Sequence, residues 1–191
     1  PYRRQRQMCI RDSRHIENPP KEQEYAYRLL AEAKVPCLLS QYRYSMFDTA
    51  SAAENFPLAA VNGSGITVFS PLAQGLLTDK YLHGIPADSR AAKSTGFLQI
   101  SQVTDDKIAK ARQLNEIAAS RGQSLAQMAL AWILTDERVT SVIIGASSVS
   151  QLTANLKAID APAFSPEELH LINTVLRSNC LIIHSLDGLN G

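Results

Sequence analysis

Cysteine, histidine and long apolar runs are all scarce in this chain, and each shortage excludes a class of protein. Three cysteines in 191 residues, Cys9, Cys37 and Cys180, are too few and too far apart for a disulfide framework or a zinc site. Cys37 lies in the apolar run Val35-Pro36-Cys37-Leu38-Leu39 and reads as a small buried hydrophobe. The four histidines, His15, His83, His170 and His184, share no metal-ligand spacing, so no metal is expected. No apolar stretch reaches the length of a membrane-spanning helix. A formal net charge of only +1 offers neither nucleic acid nor a membrane surface an electrostatic foothold. What is present, 45% hydrophobic and 19% charged residues, is the balance of a globular domain with a real core. A reducing cytoplasm suits the cysteine usage best.

One cluster breaks the even charge. Arg3, Arg4, Arg6, Arg11 and Arg14 crowd the start of the chain without apolar periodicity. Such a run reads as an RNA- or lipid-binding arm, or as a transit peptide. A third reading fits better. Gln7-Met8-Cys9-Ile10-Arg11-Asp12-Ser13 resembles the in-frame translation of a transposon-end adapter used for sequencing libraries, a scar outside the fold. Residues 1–18 are therefore expected to be non-native and disordered, residues 19–177 to form the domain, and residues 178–191 a tail.

Within the domain, helices and strands alternate. Pro20 opens a helix in the first-turn position that proline tolerates, and Tyr25, Leu29, Leu30 and Ala33 carry it to Lys34. Pro36 to Gln41 reads as a strand, Ala50 to Val61 as a helix stopped by Asn62-Gly63, and Gly65 to Phe69 as a second strand. Tyr81 to Val103 has no periodicity, and a connection that long inside a compact unit is usually a lid or binding loop. Thr104 caps a helix that runs to Arg121-Gly122, and Ser124 caps another through Trp132 and Leu134. Trp132, with Met128, Leu130 and Leu134, reads as a helix buried against a sheet. Val139 to Ile144 is a third strand, Ser150 to Ile159 a helix, and Ser165-Pro166-Glu167-Glu168 opens a last helix. Strands alternating with helices imply parallel strands joined by crossovers.

The most informative segment is Phe69-Ser70-Pro71-Leu72-Ala73-Gln74-Gly75-Leu76-Leu77-Thr78-Asp79-Lys80-Tyr81. A buried strand, Ile66-Thr67-Val68, ends in an aromatic ring able to stack on a flat heterocycle. It enters a loop of small residues that lets backbone approach a ligand. Ser70, the neighbouring N–H groups and Lys80 suit phosphate oxygens. Two other segments enter the argument. Gly84-Ile85-Pro86-Ala87-Asp88-Ser89-Arg90 puts an arginine in the long loop, where by itself it reads as a solvated side chain. Val142-Ile143-Ile144-Gly145-Ala146-Ser147 is a strand, glycine and helix start where an anion meets backbone N–H groups. Tyr44, Met46 and Phe47 read either as a pocket border or as core.

These segments resemble the aldo-keto reductases, in the branch that holds glyceraldehyde-phosphate reductases and potassium-channel beta subunits. The resemblance implies the C-terminal portion of a TIM (β/α)8 barrel, an incomplete α/β fold binding NADP(H). It places Gln41 on the nicotinamide carboxamide and stacks Phe69 on the nicotinamide ring. Ser70, Pro71, Leu72, Ala73 and Gln74 then line the pyrophosphate, with Lys80 near phosphate. Arg90, in the GIPxxSR pattern, faces the 2′-phosphate and favours NADP over NAD. Gly145, Ser147, Gln151 and Asn155 contact the adenosine half. Ala154 departs from the family, which commonly carries Glu there.

The resemblance also marks an absence. Aldo-keto reductases protonate a carbonyl with a Tyr tuned by Lys and Asp, because a free phenol has a pKa of about 10 and needs a cationic neighbour. No such set sits at a comparable position here, since those residues belong to earlier strands, and a complete barrel takes roughly 250 residues. The expectation is a C-terminal half that keeps the cofactor residues and has no catalytic residue of its own. Its parent is then an NADPH-dependent reductase of a small-molecule carbonyl or, alternatively, a cofactor-sensing regulatory subunit like the channel beta subunits. The substrate stays open.

Overall fold

The computed structural model describes residues 20–34, 39–82 and 103–178. The first strand's opening residues, Cys37, the loop with His83 and Arg90, and both chain ends lie outside them. The described chain divides into two compact units, one of residues up to 44 with 48–70 and 136–144, the other of 45–47, 71–135 and 145 onward.

The first unit is built on a parallel sheet in the order β1 (Leu39–Arg43), β2 (Gly65–Phe69), β3 (Val139–Val142). Its helices are α1 (Pro20–Glu32), α2 (Ala50–Glu54) and α3 (Phe56–Val61). Residues of alternating parity face opposite ways along a strand. Tyr42 on β1 and Ile66 and Val68 on β2 are buried on one face, and Tyr42 meets the Phe56 ring of α3 at 5.5 Å. Tyr44 meets the same ring edge-on at 5.2 Å. Tyr44 is therefore core. The β2–β3 register slips between Ile66 and Thr67, and Thr140 Oγ1 accepts the Ile66 N–H at 3.1 Å where a backbone carbonyl would stand in a regular ladder.

The helix expected over Ala50 to Val61 is two helices that break at Asn55. Pro57 has no N–H for the carbonyl four residues back, and its ring would strike that turn. Asn55 is buried at the break and its Nδ2 donates to Gln23 Oε1 on α1. The third strand stops at Val142, two residues early, although the Ile143 N–H still reaches the Val68 carbonyl at 2.8 Å.

The second unit is helical: α4 (Asp105–Ser120), α5 (Leu125–Leu134), α6 (Val149–Leu156) and α7 (Pro166–Arg177), with short 3-10 turns at Ala73–Gly75 and Asp79–Tyr81. Its core joins Met46, Leu77, Leu82, Leu114, Ala118, Leu125, Met128 and Ile172, with Trp132 and Phe47 packed partly against it. Trp132 thus packs partly against this helical core. Thr104 and Ser124 cap α4 and α5, and Ser165 caps α7 in a capping box with Glu168. At the end of α4, Gly122 at φ 69 lets its N–H reach Ala119 and the Gln123 N–H reach Ala118, a left-handed stop that glycine takes without strain. The cap of α6 is Ser148, so that helix starts one residue before Ser150 and ends three before Ile159.

One buried cation fastens α7. Arg121 Nε donates to Gln123 Oε1 at 2.9 Å, Nη2 to the Pro162 carbonyl at 2.6 Å and Nη1 to Glu168 Oε2. Its guanidinium lies 3.9 Å from the Phe164 ring centre.

Candidate functional site

The sequence-predicted residues fall in both units. In the first, Gln41 pairs in register with Thr67, and Arg43 with Phe69. Gln41, Thr67 and Phe69 therefore share the face opposite Tyr42 and Val68, with Gln41 exposed and Phe69 half-buried at the carboxyl end of β2. The structure thus puts Gln41 and Phe69 on one face of the sheet, on neighbouring strands. The Phe69 carbonyl accepts the Tyr44 N–H at 3.4 Å, and the next residue, Ser70, stands at φ 55.

The second unit carries the loop. Pro71 is buried, while Leu72, Ala73 and Gln74 are half-buried. Leu72 is near the right-handed region (φ −96, ψ 19), but Ala73 and Gln74 stand at φ 46 and φ 59, and Gly75 at φ 103. L-residues reach the left-handed region at a cost, so such outliers persist only where surrounding bonds hold them. The Leu72 carbonyl accepts both the Gly75 N–H (2.8 Å) and the Leu77 N–H (3.2 Å). Right-handed followed by left-handed residues turn successive N–H groups into one concavity, which suits an anion. A Cβ on Gly75 would lie 3.4 Å from Tyr81 Cε2, an ordinary contact, so φ rather than space demands glycine there. Lys80 is exposed on the following 3-10 turn, and its N–H meets Thr78 Oγ1 at 3.2 Å. Arg90 lies outside the described residues.

The third cluster surrounds the start of α6. Gln151 Oε1 accepts both the N–H (2.8 Å) and the hydroxyl (3.0 Å) of Ser147, folding the turn before the helix. Gly145 has an ordinary φ and open space where a Cβ would stand, so no steric reason for glycine is visible. Asn155 is 5% exposed, and its Nδ2 has no hydrogen-bond partner among the described residues. A buried amide left unbonded is costly, and such an orphan marks a place where a ligand acceptor fits. The Ala154 carbonyl beside it accepts Gln127 Nε2 from α5 at 2.7 Å.

Thr78 was missed in the sequence, where it is one hydroxyl in a loop. Its only signal is its place between Gly75 and Lys80. No group of three or more His, Cys, Asp or Glu side chains able to hold a metal occurs among the described residues, and no described helix is long and apolar enough to cross a membrane.

The chain matches the model of the Aldo/keto reductase family over residues 17–177. It is 43% identical over 158 residues to an L-glyceraldehyde 3-phosphate reductase of Escherichia coli O157:H7, covering 81% of this chain and 46% of that protein. It is 40% identical over 145 residues to a probable voltage-gated potassium channel subunit beta of Oryza sativa subsp. japonica, covering 74% and 44%. The chain thus spans less than half the length of these relatives. Among solved structures, a glycerol dehydrogenase from Gluconobacter oxydans superposes with a TM-score of 0.62 at 21% identity, over 76% of this chain and 44% of that one. An aldo-keto reductase from Bacillus halodurans gives 0.60 at 23%, over 83% and 48%. These likenesses establish the fold, and three parallel strands alternating with helices are part of such a barrel. On the extent of the family match, the chain belongs to the aldo/keto reductase family.

Proposed function

We propose that this chain provides the cofactor-binding half of an oxidoreductase that uses NADPH to reduce an aldehyde or ketone to an alcohol. The observation that carries the reading is the backbone at residues 70–75, where Ser70, Ala73 and Gln74 all stand at positive φ. Strain gathered in a few residues after a strand end supports a preformed phosphate cradle. The unpartnered Nδ2 of Asn155 fits the same ligand's adenosine half. In the reading we adopt, Gln41 and Phe69 hold the nicotinamide, residues 70–74 and Lys80 hold the pyrophosphate, and Arg90 selects the 2′-phosphate. Gly145, Ser147, Gln151 and Asn155 receive the adenosine. The bound nicotinamide supplies the hydride, and these residues orient it.

The proton donor is assigned to the earlier strands. Tyr44 illustrates why it does not serve. Burial, and then the charge of Asp136, push its pKa up to about 12 against the opposing charge of Arg138, whereas a phenol acting as general acid near neutrality needs its pKa lowered. The sparse cysteines support a reducing cytoplasm.

The test is aldehyde-dependent oxidation of NADPH by the full-length protein, followed at the nicotinamide absorbance. Turnover supports the reductase. Tight NADPH binding without turnover on any aldehyde or ketone favours the second reading, a cofactor-sensing regulatory subunit, to which the likeness to the rice channel subunit lends weight. Absence of NADPH binding overturns both.

A further inference from the structure

The loop that follows β2 contains a hydroxyl placed to do two jobs at once. Thr78 stands extended at φ −137, ψ 173, and its Oγ1 accepts the Lys80 N–H at 3.2 Å while donating its proton to the Gly75 carbonyl at 2.6 Å. On one side of it lie the left-handed residues Ala73, Gln74 and Gly75. On the other, the 3-10 turn Asp79–Tyr81 carries Lys80 exposed and Tyr81 buried at 2%. Tyr81 packs with Leu76 and Val103, so the far end of the turn is anchored in a small core of its own. The near end is tied by the two N–H groups on the Leu72 carbonyl. Thr78 is the side chain that joins the two turns.

Resting on the reading of residues 69–80 as the cofactor loop, we propose that Thr78 is a positioning residue for the dinucleotide's phosphates. It touches no ligand atom. By fixing the Gly75 carbonyl against the Lys80 N–H, it sets the left-handed cradle and the Lys80 ammonium as one anion site before the ligand arrives. Preorganisation of this kind raises affinity by removing the ordering cost at the moment of binding. A lysine on an unfixed turn supplies charge but not placement, since its four-carbon stem is flexible.

The test is a double-mutant cycle in the full-length protein, read as the NADPH dissociation constant from nicotinamide fluorescence. Thr78→Val keeps the shape and removes both hydrogen bonds, and about a tenfold loss of NADPH affinity is expected. Thr78→Ser should restore it. In a Lys80→Met background, Thr78→Val should cost less than threefold, because the lysine it positions is gone. Equal losses in both backgrounds would make Thr78 merely structural and overturn the proposal, as would unchanged affinity in Thr78→Val. If the valine variant does not fold, the same cycle run with Thr78→Ala decides by the same coupling. Wild-type protein that fails to bind NADPH overturns the cofactor reading instead, so the two failures are distinguishable.

Discussion

The two units of this chain solve the problem of stability differently. The helical unit closes on itself. Its helices begin at Thr104, Ser124, Ser148 and Ser165, each with a side-chain cap, and Leu114, Leu125, Met128 and Ile172 bury their side chains together. The sheet unit depends on pairing between distant segments. Among the described residues its sheet has three strands in the order β1-β2-β3, paired between segments up to about 70 residues apart in sequence, and Gln41 on the face opposite Tyr42 is exposed. Caps and helix bonds are satisfied within a few residues of sequence, whereas a parallel sheet needs strands from elsewhere. The comparison teaches that one unit is specified by contacts close in sequence and the other by pairing between segments far apart in it.

The largest expected effect breaks that contrast if it fails. The 191-residue chain expressed alone should associate or pack loosely, and show no NADPH-dependent reductase activity. Unpaired strand edges are templates for pairing. Val61 is 87% exposed in the sheet unit, and even the helical unit leaves an apolar stripe on and after α6, with Val149 82% and Ile159 70% exposed and Leu152 and Leu156 between them. Size-exclusion chromatography and thermal unfolding read the outcome. A compact monomer with one cooperative transition, or reduction of any aldehyde, would show that the sheet is no liability or that an acid is present after all.

The next effect sharpens the claim that the helical unit is self-sufficient. Arg121→Ala in the full-length protein removes three hydrogen bonds and a ring contact and leaves Glu168 without its cation. The loss expected is about 2–3 kcal/mol, seen as a lower denaturation midpoint and faster amide exchange in α7. The pH dependence follows from the direction of the Glu168 shift. The Ser165 N–H, and then Arg121, hold its carboxyl below the usual range. Its stabilising contribution is therefore complete above the unfolded value of about 4.3 and is lost as pH falls through the lower folded value. Arg121→Ala should shrink that acid-side loss, and an unchanged acid limb would remove Arg121 from the account.

The helical unit was also the more legible in sequence, for the same physical reason. Thr104, Ser124 and Ser165 announce helix starts because a cap is a contact over two or three residues. The break at Asn55 was hidden because Ala50 to Val61 keeps an unbroken apolar pattern, and Pro57 alone carries the information. The early end of β3 was hidden because Ile143 and Ile144 are as good strand residues as Val142, and pairing decides where a ladder stops. In the site, Phe69 and its loop were readable from residue types. Gln41 and Asn155 were reached through the family resemblance alone. Thr78 escaped both, since its role depends on the φ of Gly75 three residues earlier.

A smaller effect tests the cation assigned to the long loop. Arg90→Ala should weaken NADP binding more than NAD binding, with the preference falling by more than tenfold. A hydrogen bond to a charged group contributes about 1.5–3 kcal/mol, and about 1.4 kcal/mol is a factor of ten. Equal losses for the two cofactors would make Arg90 a structural or solvated side chain.

The smallest effect lies in the sheet unit and asks whether that unit contributes orientation rather than affinity. Phe69 stands at the carboxyl end of β2, half-buried, on the face it shares with Gln41. Its backbone is held by the ladder to Arg43 and by the Tyr44 N–H, so replacing the ring should leave the strand in place. Stacking of one ring on another adds about 0.5–1.5 kcal/mol beyond the area it covers, so Phe69→Ala should weaken NADPH binding by about two- to twelvefold. The same loss should appear for NADH, because the nicotinamide is common to both. That equality separates Phe69 from Arg90. If turnover falls further than affinity does, the ring's main contribution is to aim the hydride, as expected for a group that fixes the reacting atoms in position. Unchanged binding and unchanged turnover would remove Phe69 from the site and leave the charged loop of the helical unit to hold the cofactor by itself.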